Sequence, residues 1–339
     1  MSLSAYIIEN EKVFKGAQDI KYLFMPASKP SKHLIVVFSG FNGKEEEGVL
    51  PYYNYVKYLK DIDCHRLFIL DQCLGHPCYY LGHNKKLDYE VSVASLIYSI
   101  SNEYKIMRKN IMTAGSSKGG SAAVYFALKY DFGHVIAGGF QFKVGEYLYT
   151  TKRYTRQTVL KVITGGNTPG HRDYLDRIYV DLVEKGTYTT NINVHVGSGD
   201  SHYDKHIKPF IEILQKRNIP YNLDVQDYSE HGKVGVYFSQ YLIDQVSNIT
   251  GQLVIKEAAI TNENQMISVS CSVPQDPKEP VHFAYYVFKQ GQADPVKKVS
   301  YSPSAKLRYK VEHPGKYSVK VFVKKGDQKV AKRTPVIEV

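Results

Sequence analysis

Two hydrophobic rhythms divide the chain. Over residues 1–250, short apolar runs alternate with longer segments of helical spacing. His33–Phe38 is a continuous apolar run that stops at Ser39-Gly40-Phe41-Asn42-Gly43. Such a run fits a strand covered on both faces, as in a parallel sheet. Arg66–Leu70, Asn110–Ala114, His134–Ala137, Asn193–Val196 and Tyr221–Val225 are further strand signals. Between them, Tyr52–Lys60, Tyr89–Tyr104, Lys118–Tyr130, Ile207–Lys216 and Lys233–Ser247 carry helical patterns. This strand–helix alternation predicts an α/β fold with a doubly wound, mainly parallel sheet.

After Thr250 the rhythm changes to period two, in Met266–Cys271, Val281–Phe288, Leu307–Val311, Tyr317–Val323 and Val336–Val339, with Leu253–Ile255 before them. Turn signals at Pro274–Pro280 and His313-Pro314-Gly315 separate the runs. Short alternating strands at this spacing predict a C-terminal all-β sandwich of immunoglobulin-like type over 251–339. Residues 141–192 interrupt the first rhythm with tyrosines, cations and a Gly-rich turn at 165–170. A connection of that length is either a lid-like insertion or a packed excursion with its own helix near Tyr174–Glu184.

The chemistry is concentrated in Gly115-Ser116-Ser117-Lys118-Gly119, which follows a short apolar strand and opens a helix of small residues. The G-x-S-x-G spacing in strand–turn–helix context is that of a nucleophile elbow. The glycines relieve crowding on either side of a strained serine. A serine nucleophile needs a histidine base and an acid that fixes the tautomer of that base. Asp200 and His231 follow Ser117 in the hydrolase order, each just past the C-terminal end of a predicted strand. Asp204 is a rival acid. His202 and His206 are expected at the surface or the start of a helix, where either can line the site. The backbone N–H of Lys118, after the nucleophile, is one expected oxyanion donor, and Phe41 or Gly40 supplies the other. The Lys118 side chain is expected in solvent at the helix start, with attraction of an anionic acyl acceptor as the alternative.

Composition adds three points. The net charge is +11, and residues 251–339 hold 15 Lys/Arg against 8 Asp/Glu. That basic segment is a candidate docking surface for an anionic polymer. The chain has 29 tyrosines and no tryptophan, and tyrosine rings can stack on sugars while their hydroxyls hydrogen-bond. Four cysteines are too few for a disulfide scaffold, and Cys73, His76, Cys78 and His83 lack the spacing of a zinc site, so no metal is expected. No apolar run is long enough for a membrane span and no secretory leader is evident, so a cytoplasmic protein is expected. Nucleic-acid binding is disfavoured, since no recognition motif accompanies the charge.

On Ser117, Asp200 and His231 in this order, residues 1–250 resemble the α/β-hydrolase superfamily. Ala114–Gly120 together with Phe38-Ser39-Gly40-Phe41-Asn42 resembles a bacterial group tied to surface glycans. That group holds capsular polysaccharide biosynthesis proteins and the acetyltransferase-like component of accessory secretion systems. The resemblance implies a catalytic triad at Ser117, Asp200 and His231 and an oxyanion loop at Gly40 and Phe41. It implies a serine esterase or O-acetyltransferase acting on a surface or capsular polysaccharide. No cofactor is expected, save an acyl donor such as acetyl-CoA in the transferase case. The alternative is a non-catalytic glycan-binding or assembly protein on a hydrolase scaffold.

Overall fold

The computed structural model describes residues 2–44, 47–274 and 279–339, so the expected turn at Pro274–Pro280 lies in part outside the described residues. The chain divides into two compact units, Met1–Leu242 and Ile243–Val339.

The first unit is built on an eight-stranded sheet in the order β1-β2-β4-β3-β5-β6-β7-β8. Its strands are β1 (Glu11–Lys15), β2 (Asp19–Met25), β3 (Leu34–Phe38), β4 (His65–Ile69), β5 (Ile111–Ser116), β6 (His134–Gly138), β7 (Asn191–Gly197) and β8 (Tyr221–Gln226). From β4 to β8 all pairings are parallel, while β1–β2 and β2–β4 are antiparallel. β3, β4 and β5 are buried along their whole length, which is why they read as unbroken apolar runs. The antiparallel edge and the preceding helix α1 (Leu3–Asn10) carry mixed exposed and half-buried positions, so their pattern is weak in the sequence.

Helices α2 (Asp88–Glu103), α3 (Lys118–Tyr130), α4 (Val144–Thr150), α5 (Tyr154–Thr164), α6 (Pro169–Lys185), α7 (Lys208–Lys216) and α8 (Val234–Thr250) complete the α-helical elements. α4, α5 and α6 occupy the long β6–β7 connection, and buried Leu148, Val159, Leu160, Leu175 and Tyr179 join them to the main core. The helix expected over Tyr52–Lys60 is instead a series of turns. Tyr55 there has φ of 64°, a left-handed conformation that breaks a helix. Asn54 beside it turns its side chain to the Gly40 N–H.

Many tyrosines are internal posts. Tyr79, Tyr80, Tyr89 and Tyr179 rank among the largest fully buried side chains. The Tyr80 hydroxyl accepts from Ser39 N–H (2.6 Å) and donates to the Ile69 carbonyl (2.8 Å), which fixes the loop after β3.

The second unit holds two antiparallel sheets. One is β13-β10-β9 and the other β12-β11-β14-β15, with β16 paired to β14. Their strands are β9 (Glu257–Glu263), β10 (Met266–Ser272), β11 (His282–Lys289), β12 (Lys297–Ser302), β13 (Lys306–Lys310), β14 (Lys316–Lys325), β15 (Gln328–Arg333) and β16 (Ile337–Glu338). Ile267, Val269, Phe283, Tyr285, Val287, Val319, Val321 and Val323 form the core between the sheets, one face of each strand at period two. Leu253–Ile255 is buried but is not a strand. Among the described residues no helix is long and apolar enough to cross a membrane.

Candidate active site

β5 runs straight into Ser117 and α3 begins at the next residue. Ser117 has φ of 51° and ψ of −127°, outside the regions open to ordinary residues. Two glycines make the turn sterically feasible. A Cβ on Gly115 would lie 2.5 Å from the backbone of Gly119, and one on Gly119 would lie 2.2 Å from the Phe38 carbonyl oxygen. The spacing read from the sequence is therefore a packing requirement of the turn, which frees Oγ to point away from the strand.

Ser117 Oγ lies 3.0 Å from His231 Nε2. His231 Nδ1 lies 2.8 Å from Asp200 Oδ2. Asp200 follows β7, and His231 opens the short turn between β8 and α8. Each side chain thus comes from the C-terminal end of a parallel strand, where open α/β sheets gather their sites. Asp200 is buried, whereas Asp204 is exposed and pairs with Lys208 at 2.6 Å. Burial by itself would raise the Asp200 carboxyl. Hydrogen bonds from His202 and His231, attraction to the His231 ring in its protonated form and the His202 amide together outweigh it and hold the group well below the usual carboxylate range.

His202 is not at the surface. It is buried, and its ring stacks on His231 with centroids 3.7 Å apart and planes 13° apart. Its Nδ1 lies 3.1 Å from Asp200 Oδ1, and its backbone N–H donates to the same oxygen at 2.9 Å. One carboxylate therefore serves two histidines, one on each oxygen. Since the carboxylate only accepts, both rings carry their proton on Nδ1 and present Nε2 as an acceptor. His231 Nε2 faces the Ser117 hydroxyl, and His202 Nε2 faces the amide of Gln141 at 2.9 Å.

Gln141 is the residue that the sequence reading missed. It is fully buried just after β6. Its Nε2 donates to Ser117 Oγ at 3.0 Å and to His202 Nε2. Its Oε1 accepts from the Tyr79 hydroxyl at 3.3 Å, and its backbone N–H donates to Ser121 Oγ at 3.0 Å. The signal that located Asp200 and His231, a polar residue past a parallel strand, also applies to Gly138-Gly139-Phe140-Gln141. His206, one turn beyond His202, is pushed down to about 3, first by burial and then by the neighbouring His202, Lys205 and Lys143.

The Lys118 side chain corrects the expectation of a solvated cation. It is buried, with Nζ 2.7 Å from Asp71 Oδ2 and 4.8 Å from the Tyr80 ring centre. Asp71 also accepts from the N–H groups of Cys78, Tyr79 and Tyr80. The segment 71–80 is thus a folded anchor for the start of α3. The Gly40 N–H is occupied by Asn54 Oδ1 at 2.9 Å. Phe41 and Lys118 line a cavity of about 310 Å³ with Val49, Leu50, Tyr154 and Val159.

Asp200, His202 and His231 are also the one group, among the described residues, whose ligand atoms could surround a metal ion, lying within 4.8 Å of one another. Hydrogen bonds already account for the donors between them, since each Nδ1 proton has its own carboxylate oxygen.

No protein-family model matches the sequence, and no curated protein matches it. Solved structures do match. The capsule O-acetyltransferase of Neisseria meningitidis serogroup A is similar at a TM-score of 0.57 and 20% identity, over 68% of this chain and 94% of that chain. A mutant of that enzyme in complex with CoA matches at 0.58 and 20%, over 70% of this chain and 94% of that one. The Glycosylation Associate Protein (Gap123) complex from Streptococcus agalactiae matches at 0.59 and 18%, over 70% of this chain and 47% of that chain. FphF, a fluorophosphonate-binding serine hydrolase of Staphylococcus aureus, matches at 0.50 and 14%, over 69% and 93%. At these identities the likeness is one of fold, and that fold is of the α/β-hydrolase type.

Proposed function

We propose that the protein is a serine-dependent acyl-ester enzyme whose natural substrate is a surface or capsular polysaccharide. The observation that carries the reading is the continuous hydrogen-bond line from Ser117 Oγ through His231 to buried Asp200, anchored on a strained elbow. In the first half-reaction the Ser117 proton passes to His231 Nε2 as Oγ attacks the acyl carbonyl. The developing oxyanion is met by the N–H groups of Phe41 and Lys118, neither of which has another partner among the described residues. His231 then returns its proton to the leaving group as that bond breaks. In the second half, water or a sugar hydroxyl gives its proton to His231 and attacks the acyl-enzyme, and His231 passes that proton to Ser117 Oγ as the acyl–oxygen bond breaks.

Gln141 acts throughout as a donor to Oγ. With one lone pair of Oγ held by the amide and its proton directed at His231, the remaining lone pair is the one aimed at the substrate. His202 keeps the amide of Gln141 oriented, and Asp200 keeps His202 in the accepting tautomer.

The O-acetyltransferase neighbour, with its CoA-bound form, supports acetyl transfer to a glycan with an acyl donor such as acetyl-CoA. The cavity beside Phe41 and Lys118 is the space available for the acyl group or its carrier. The test is labelling with a fluorophosphonate, followed by intact mass after exposure to acetyl donors. Wild type should label and carry an acetyl adduct, and Ser117→Ala should do neither. Equal labelling of the two proteins would refute the enzyme reading and leave a glycan-binding protein on a hydrolase scaffold.

A further inference from the structure

The outward face of the sheet β12-β11-β14-β15 is strongly basic. These four strands contain no acidic residue. Their inward positions are the valines and aromatics of the core, so the cations fall largely on the solvent side. The registers place Lys298, Tyr286, Lys320 and Arg333 in one row across all four strands. The neighbouring row is Ala284, Phe322 and Ala331, and the row beyond it is His282, Lys324 and Lys329. With strands about 4.8 Å apart, the first row spans roughly 14 Å, and rows two residues apart are about 7 Å from one another. The result is a shallow trough with half-buried Phe322 and exposed Ala331 as its floor and Lys or Arg cations along both rims.

Three rings lie on this face. Tyr286 and Phe322 meet edge to face at 4.8 Å. Lys298 sits 5.5 Å from the Tyr286 ring centre, Lys320 5.1 Å from that of Phe322, and the Arg333 guanidinium 4.3 Å from that of Phe288. No ion pair engages Lys298, Lys320, Lys324, Lys329 or Arg333 among the described residues. Glu279 lies at one end, sharing a hollow of about 440 Å³ with His282, Tyr301 and Lys324.

We propose that this trough is a docking surface for an extended anionic polysaccharide chain. The proposal rests on the polysaccharide reading above and adds the sign of the charge on the polymer and the residues that hold it. Unpaired cations on two rims complement a chain that bears carboxylates at regular intervals. The apolar floor offers contact to sugar C–H groups, as aromatic and alanine surfaces do. Single-stranded nucleic acid fits less well. Bases stack on successive parallel ring faces, and Tyr286 and Phe322, which meet edge to face, do not present two such platforms side by side.

The experiment is binding of the full chain to immobilised polygalacturonate and polysialic acid, with neutral dextran and oligothymidylate as comparison surfaces, at physiological salt. Ester turnover and melting temperature are measured on the same samples. The expected result is binding to at least one acidic glycan, none to dextran, and weaker binding to oligothymidylate. Tyr286→Ser with Phe322→Ser, and separately Lys298→Glu with Lys320→Glu, should each weaken glycan binding by about tenfold or more, with melting temperature and turnover of a small ester unchanged. Three results overturn the proposal: no binding to either acidic glycan, tighter binding to oligothymidylate, or wild-type affinity in both double variants. Failure of wild type to label at Ser117 would refute the enzyme reading instead, and the binding result would stand apart from it.

Discussion

Replacing Gln141 by Met is the most informative single change in the catalytic unit. Methionine keeps the length and approximate volume of the side chain, so the buried space after β6 stays filled. What is lost is both N–H donors, one 3.0 Å from Ser117 Oγ and one 2.9 Å from His202 Nε2, and the Oε1 that accepts from the Tyr79 hydroxyl. Leaving His202 Nε2 buried without a donor costs about 1–3 kcal/mol of stability. In catalysis the donor faces an oxygen that gains negative charge as its proton leaves and again as the acyl-enzyme collapses. The amide already bonds the neutral hydroxyl, so only its strengthening counts: about 1.5–3 kcal/mol to a charged partner against about 0.5–1.5 to a neutral one leaves about 1–1.5 kcal/mol, or roughly five- to tenfold in rate. The assay is stopped-flow hydrolysis of an activated aryl ester, which separates acylation from deacylation, beside fluorophosphonate labelling. Gln141→Met should slow both half-reactions, because Oγ is attacking group in one and leaving group in the other. KM should change little, since the amide touches the nucleophile and not the bound ester. A variant that melts within a few degrees of wild type yet keeps kcat/KM within about twofold would refute the assigned role.

Other outcomes follow from the same geometry. Asp200→Asn should lower kcat by about 10⁴-fold, whereas Asp204→Asn, on an exposed carboxylate, should leave esterase kinetics unchanged. Lys118→Met should destabilise the protein by about 3–5 kcal/mol in urea titration because it strands Asp71, and Lys118→Met with Asp71→Asn should recover part of that loss. Stability should fall as pH drops from about 6.5 towards 3. Over that window unfolded His206 binds a proton that the buried side chain refuses, so the slope is positive in pH and approaches about 1.4 kcal/mol per unit for this group. His206→Asn should flatten that limb in denaturation curves recorded at successive pH values.

Much of the fold can be read from the order of residues. The inner parallel strands β3, β4 and β5 announce themselves because sheets covered on both sides favour unbroken apolar runs, whereas half-exposed β8 reads only as a short strand. The elbow announces itself because two backbones approach too closely for any Cβ at Gly115 and Gly119. Asp200 and His231 are reached by the rule that sites gather at strand ends. The hidden part lies in side chains whose role depends on distant partners. Lys118 reads as a surface cation until Asp71 is placed 47 residues upstream against it. His202 reads as a surface or helix-start residue because its partners His231 and Gln141 are distant in sequence. Tyr52–Lys60 has helical composition, yet Asn54 and Tyr55 are committed to Gly40 and Ser116, and those bonds hold the segment in turns. The antiparallel edge β1–β2 is half exposed and so loses the contrast that reveals the inner strands.

The aromatic trough has a practical corollary in optics. With no indole anywhere in the chain, intrinsic emission comes from tyrosines, several of them sealed in the catalytic core. Phe322→Trp would therefore give the second unit a single, spectrally separate reporter on the floor of the trough. Its emission would move when a polymer displaces water there.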